Sequence, residues 1–187
     1  MVNKIAENIW KISCNSNTYI LKLKEWVAID AGDRQYYDYA KEEIKRIVDP
    51  KKIKKVLFTH LHYDHIGNAD LFPKAEFFAH SDEIKSYQEN PDGTVLGKDV
   101  LDAFRIYLNP LPKKIGELEV IHTPGHTKGS VCFYLRKEKI LFSGDTLFSR
   151  KSCGRTDLPT SAPEKIKKSL DLLYTYDIKL LCPGHDY

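Results

Sequence analysis

No apolar run in this chain reaches the length needed to cross a bilayer. The opening Met1-Val2-Asn3-Lys4-Ile5 lacks the apolar core of a secretory leader. Both absences lead to the expectation of a cytoplasmic protein that does not span a membrane. Cysteines are few, four in 187 residues. Cys14, Cys132, Cys153 and Cys182 lie far apart with no Cys-x-x-Cys pair. A disulfide framework is therefore not expected, and reduced thiols fit the cytoplasm. A large excess of one charge is also missing: 29 Lys and Arg stand against 26 Asp and Glu, a formal +3. The lysine pairs at 51–52, 54–55 and 167–168 are short and scattered. They read as solvated faces and leave no nucleic-acid footprint. The small positive excess suits an anionic small-molecule substrate.

What remains is ordinary globular composition, 42% hydrophobic and 29% charged, which excludes disordered and fibrous classes. The length fits one domain over 1–187 with a sizeable core. Residues 5–13 and 18–29 are rich in Ile, Val, Trp and Tyr and flank Asn15-Ser16-Asn17, which predicts a β-hairpin. Apolar spacing predicts a helix over 36–48, stopped by Asp49-Pro50. Further strands are expected at 55–59, 76–79, 118–123, 130–135, 139–143 and 178–182, and further helices at 66–71, 81–88 and 162–176. Residues 90–112 carry only turn signals and read as a covering loop. Strands with helices outside predict an α/β (α+β) sandwich of sheets covered by helices.

The chemistry concentrates in histidine. Of seven histidines, His60, His62 and His65 fall within six residues, directly after an apolar strand and beside Asp64. Strand alternation points i and i+2 the same way, so His60 and His62 can converge at a strand end. Asp64 and His65, on the following turn, can reach a neighbouring point. Imidazole and carboxylate at this density suit a borderline metal such as zinc. His126, Asp145 and His185 each follow a later strand, preceded by Gly125, Gly144 and Gly184. A sheet scaffold holds such loops rigidly, and the glycines would let backbone pass close to the site.

The runs THLHYDHIGN at 59–68, TPGHTKGS at 123–130, SGDTLF at 143–148 and PGHD at 183–186 together resemble the metallo-β-lactamase superfamily across nearly the whole chain. The resemblance implies a four-layer αββα sandwich, two mixed sheets flanked by helices. It implies two divalent ions, zinc by default, with iron or manganese possible at the same ligands. His60, His62 and His126 would hold the first, and Asp64, His65 and His185 the second. Asp145 would bridge them, and Asp64 and Asp145 count also as catalytic carboxylates. Such a pair of ions lowers the pKa of a shared water towards ~7, making a hydroxide nucleophile.

Ser143-Gly144-Asp145-Thr146-Leu147-Phe148 and Cys153-Gly154-Arg155-Thr156-Asp157-Leu158 look like the glyoxalase II-related group, whose members hydrolyse thioesters of hydroxy acids with glutathione. This implies a metal-dependent thioester hydrolase acting on a small anionic substrate. Arg155 either pairs with Asp157 or, like Arg150 and Lys151, meets a substrate carboxylate. The chain stops two residues after His185, so the C-terminal helical domain that glyoxalase II uses for glutathione is not expected. Two alternatives come from other classes. One is a mononuclear iron persulfide dioxygenase using His60, His126 and Asp145; the other is a non-enzymatic binding module. Metal content and oxygen uptake separate the first, and a lost ligand would mark the second.

Overall fold

A computed structural model of the chain describes residues 2–186. It opens with β1 (Val2–Ala6), β2 (Ile9–Cys14), β3 (Ser16–Lys22) and β4 (Trp26–Ile29), joined as successive antiparallel pairs. The single hairpin expected here is thus three reversals, since residues 5–13 also turn back, at Glu7-Asn8. Residues 18–29 split because the chain turns back at Leu23-Lys24-Glu25, where the Leu23 N–H donates to the Glu25 carbonyl at 3.0 Å. That turn holds no glycine, proline or asparagine, so composition does not mark it.

Helix α1 (Tyr37–Ile47) buries Ala40 and Ile44, four apart on one face, and ends as Val48 turns extended. Then come β5 (Ile53–Leu57), α2 (Tyr63–Ile66), β6 (Glu76–Ala79) and α3 (Ser81–Glu89). The helix expected over 66–71 lies earlier, as α2, followed by a short 3-10 turn at Ala69–Leu71. The expected covering loop at 90–112 is also corrected. It contains α4 (Pro91–Val95), α5 (Lys98–Ala103) and the edge strand β7 (Leu108–Pro110). The second half holds β8 (Lys114–Ile115), β9 (Leu118–His122), β10 (Val131–Leu135), β11 (Ile140–Gly144), α6 (Pro163–Leu173) and β12 (Leu180–Pro183). Pro163 opens α6, where its missing N–H costs nothing.

The strands form two mixed sheets. One runs β1 to β7 in order; the other runs β12-β11-β10-β9-β8. β4 to β7 pair parallel, as do β11 and β12. Alternating side chains divide the interior into three apolar layers. Tyr19, Leu21 and Leu57 of the first sheet meet Phe133, Leu135 and Phe142 of the second. Ile20, Val56 and Phe58 point the other way, onto Ala40 and Ile44 of α1. Cys132, Tyr134 and Leu141 point outward onto Leu170 and Leu173 of α6. The result is the four-layer αββα sandwich that the family resemblance implies. At one end the sheets are also joined directly: Val131 N–H donates to the Thr59 carbonyl at 2.9 Å and Asn17 N–H to the Gly184 carbonyl at 2.7 Å. Among the described residues, no helix is long and apolar enough to cross a membrane.

Phe142 sits fully buried between the sheets, its ring edge-on to Tyr19 with centroids 5.1 Å apart. Phe142→Ala is expected to cost about 3–5 kcal/mol, read from urea unfolding. A loss below about 1 kcal/mol would show that this layer is not the one holding the sheets together.

Candidate metal centre

The histidine and aspartate candidates come from four strand ends on the same rim of the sandwich. His60 and His62 lie in the connection after β5, and Asp64 and His65 ride on α2. This corrects the expectation that strand pleating aims His60 and His62, and that a turn carries Asp64 and His65. β5 stops at Leu57, and four-residue α2 holds the last two. His126 lies between β9 and β10, Asp145 directly after β11, and His185 after β12. All seven side chains are buried or nearly so. Gly184 makes the approach possible, because an added Cβ would strike the Asp145 carboxylate and lie 2.8 Å from the His65 ring. Gly125, by contrast, packs against Ile166 of α6 and away from the cluster.

The side chains fall into interlocking groups. His60, His62 and His126 form a near-equilateral set with ring centroids 4.5, 4.6 and 4.7 Å apart. Asp64, His65 and His185 form a second, and Asp145 joins His60 and His65 in a third. Asp145 lies between the first two sets. Its Oδ2 is 3.5 Å from His126 Nε2 and 3.5 Å from His185 Nε2, while Oδ1 is 3.4 Å from His65 Nε2.

The surroundings fix which ring nitrogen faces inward. Carbonyl and carboxylate oxygens only accept, so a ring nitrogen bonded to one must donate. His126 Nδ1 donates to the Arg155 carbonyl at 2.6 Å, His65 Nδ1 to Asp30 Oδ2 at 2.8 Å, and His185 Nδ1 to the Asn15 carbonyl at 3.1 Å. The Thr59 hydroxyl gives its own proton to Asp30 Oδ2 at 2.8 Å, so at 3.1 Å it accepts from His60 Nδ1. All four rings therefore turn Nε2 to the centre, and His60 and His126, both lowered by burial, present lone pairs there. The Nε2 atoms of His60 and His126 face each other at 3.2 Å, and His62 Nδ1 lies 3.0 Å from His126 Nε2. Lone pairs so close repel unless a cation or proton lies between them. His65 Nε2 and Asp145 Oδ1 are buried with no hydrogen-bond partner. A donor set of this kind fits divalent ions of borderline softness, held by outer contacts of the sort that orient metal ligands.

The electrostatics agree. Burial, with His65, His62 and His126 close by, drives His60 well below the usual imidazole value. Burial and the nearby His126 and His65 push His62 down to about 3, and burial lowers His126. Burial also opposes charge on His65, but Asp145, Asp30 and Asp64 outweigh it and raise that ring well above its ordinary value. Asp145 is held low against burial by His65, His126 and His185, and Asp64 by His65 and His185.

The cluster floors an open cleft of about 560 Å³, walled by Tyr63, Leu96, Phe148, Leu158, Cys153 and Arg155. Arg155 is 71% exposed and its guanidinium forms a bidentate pair with Asp157, both bonds 2.9 Å. Arg150 and Lys151 lie on the adjoining turn, outside the residues that line this cleft. Burial pushes the Cys182 thiol up to about 12 and raises Cys153, so both stay protonated at neutral pH. His80 and His122 stack on each other at 3.8 Å. With Asp82 they form another potential ligand group. There His80 Nδ1 already accepts the Asp82 N–H at 3.2 Å, and His122 Nε2 donates to the Lys128 carbonyl at 2.9 Å. The supporting residues Asp30, Thr59 and Asn15 were not singled out from sequence. Asp30 carries one local signal, its place at the end of a strand before Ala31-Gly32.

The family model described as the metallo-beta-lactamase superfamily matches residues 13–185; the chain belongs to that superfamily. A probable metallo-hydrolase of Methanocaldococcus jannaschii is 32% identical, over 91% of this chain and 87% of its own length. A hydroxyacylglutathione hydrolase of Psychromonas ingrahamii is 33% identical over 80% of this chain, and the match spans 54% of that protein. Among solved structures, TTHA1623 in a di-iron-bound form aligns with a TM-score of 0.73 at 27% identity, covering 94% of this chain and 90% of that one.

The low His62 pKa has a consequence for the metal-free protein. The unfolded chain takes up this proton near pH ~6.5, whereas the folded state refuses it until about 3. The contribution of His62 is thus present above the unfolded value and lost as pH falls towards the folded one. Chelator-treated protein should melt progressively lower as the medium is acidified through this window, and His62→Gln should flatten that slope. Parallel slopes for the two proteins would contradict the assignment.

Proposed function

We propose that this chain hydrolyses a small-molecule thioester, its reacting carbonyl lying over the histidine–aspartate cluster. The observation that carries this is the position of Asp145, whose two oxygens reach ligands of both sets at 3.4–3.5 Å. His60, His62 and His126 would hold one divalent ion and Asp64, His65 and His185 the other, with Asp145 touching both. Zinc suits this donor set, and so do iron and manganese. Bound there, the ions supply a water of lowered pKa and a Lewis acid for the carbonyl oxygen.

The rest is the work of the chain. The Nδ1–H bonds to Arg155, Asp30, Asn15 and Thr59 lock four of the five imidazoles, those of His126, His65, His185 and His60, so that they need no reorientation during reaction. Asp64 and Asp145 stay ionised because positive imidazole charge surrounds them. Tyr63, Leu96, Phe148 and Leu158 give the cleft apolar walls, which accept the acyl and thiol arms. A thiolate leaves readily, since thiols ionise near pH ~8.5, so the site needs no dedicated acid for that step. The likeness to hydroxyacylglutathione hydrolases favours a hydroxyacyl thioester, and the open cleft leaves the size of the thiol carrier unrestricted. Arg155, on the rim, is the cation best placed to meet a substrate carboxylate if its pair with Asp157 opens.

The test combines metal analysis of protein purified without added metal, turnover of S-D-lactoylglutathione, and oxygen uptake on glutathione persulfide. About two equivalents of metal with thioester cleavage is the expected result. A single iron with oxygen consumption and no thioester cleavage would replace the hydrolase with the dioxygenase. Asp145→Ala should lose both ions and reduce turnover at least ~100-fold; full activity in that variant would refute the shared carboxylate.

A further inference from the structure

A buried carboxylate is costly unless its oxygens are satisfied. Glu83 is fully buried, stands on the first turn of α3, and lies outside the seven-residue cluster. A glutamate three residues after a helix cap often turns back to the cap's own N–H. The cap here is His80, whose ring accepts the Asp82 N–H, and Glu83 turns inward instead. Its Oε1 accepts the Leu61 N–H at 2.9 Å. Its Oε2 accepts the Thr127 hydroxyl at 2.7 Å and the Gly129 N–H at 3.1 Å. The loop reaches α3 this closely only because residue 129 is glycine, since an added Cβ would collide with the Glu83 backbone nitrogen.

These partners are not spread evenly over the site. Leu61 separates His60 from His62, and Thr127 follows His126. One carboxylate therefore ties together the two segments that carry the first ligand set. The second set has other supports: Asp30 holds His65, the Asn15 carbonyl holds His185, and the Ser16 hydroxyl holds the Asp64 carbonyl. Asp30 serves both sets, since it also reaches His60 through Thr59. No hydrogen bond of Glu83 among the described residues goes to the second set.

We propose that Glu83 is the positioning residue of the first metal position alone, fixing the gap between segment 60–62 and segment 126–129. This rests on the two-ion reading above. Glu83→Gln keeps size and shape but replaces one accepting oxygen with a donating amide. It can serve Leu61 or the Thr127–Gly129 side, not both, and leaves a buried N–H facing an N–H.

The test measures cobalt binding by chelator competition and visible absorption in two backgrounds. His185→Ala weakens the second position and leaves the first set whole; His62→Ala does the reverse. Adding Glu83→Gln should weaken cobalt binding about 10- to 100-fold in the His185→Ala background and alter its absorption spectrum. In the His62→Ala background both should be unchanged. Equal losses in the two backgrounds, or none in the first, would overturn the proposal. Should Glu83→Gln fail to fold, Thr127→Val removes one donor to the same carboxylate and should give a smaller loss confined to the same background. An even or absent effect there overturns the proposal equally. The parent chain, titrated alongside, should take up two ions. A parent that binds fewer removes the two-ion reading itself, whereas two ions with an inert Glu83→Gln removes only the role of Glu83.

Discussion

The open end of the sandwich is organised around mutual repulsion between imidazole lone pairs. His60 and His126 bring Nε2 atoms to 3.2 Å, a spacing that neutral rings would leave if they could turn. They do not turn, because Nδ1–H on each is already committed to a fixed acceptor, Thr59 Oγ1 or the Arg155 carbonyl. The same holds for His65 against Asp30 and His185 against Asn15. A cation relieves this repulsion, and polar contacts outside a ligand set typically tune metal affinity by orienting the ligands.

The two-sheet core supplies the rigidity this needs. The ligands leave the ends of β5, β9, β11 and β12, strands buried by alternating side chains between the sheets and the helices. A ligand on a frayed strand end would drift by more than a metal–ligand bond tolerates. Here the rim is stitched across the gap by Val131 to Thr59 and Asn17 to Gly184. The turn at Asn15-Ser16-Asn17, which looks from sequence like a mere reversal, carries part of that stitching and also the acceptor for His185.

The ligands were legible in sequence because they cluster or follow strands in Gly-punctuated loops. His60, His62, Asp64 and His65 fall in a single run, and His126, Asp145 and His185 each sit beside a glycine. A sandwich of sheets under helices was legible because 55–59, 130–135 and 139–143 are short and apolar, and the four-layer arrangement came from the family resemblance. Other parts were not. Five- and six-residue helices such as α4 and α5 are under two turns long, so no helical period can accumulate. The reversal at Leu23-Lys24-Glu25 uses residues with no turn preference. Asp30 and Glu83 are single acids separated from their partners by some 22 to 46 positions. Asp30 has only its place at a strand end before Ala31-Gly32 to mark it, and Glu83 has no local mark at all; burial is what separates both from the many exposed acids.

Asp30 and Glu83 also show why such a centre needs carboxylates beyond those facing the reaction. Segment 59–62 follows β5 without regular structure, beyond the last bond to the neighbouring strand, from the Phe58 N–H to the Phe78 carbonyl. Asp30 takes the N–H of Thr59 and Glu83 that of Leu61, the residues on either side of His60. Each acid thus does two things at once: it satisfies a buried donor that would otherwise be costly, and it fixes the path on which a histidine rides. Glu83 adds a third. It belongs to a helix packed on the first sheet, yet two of its bonds go to the loop joining β9 and β10 of the second. The distance between His62 and His126 is therefore set by a side chain on neither ligand loop. On the two-ion proposal, variation at α3, which contributes no residue to the lining of the cleft, alters the first position and leaves the cleft walls untouched.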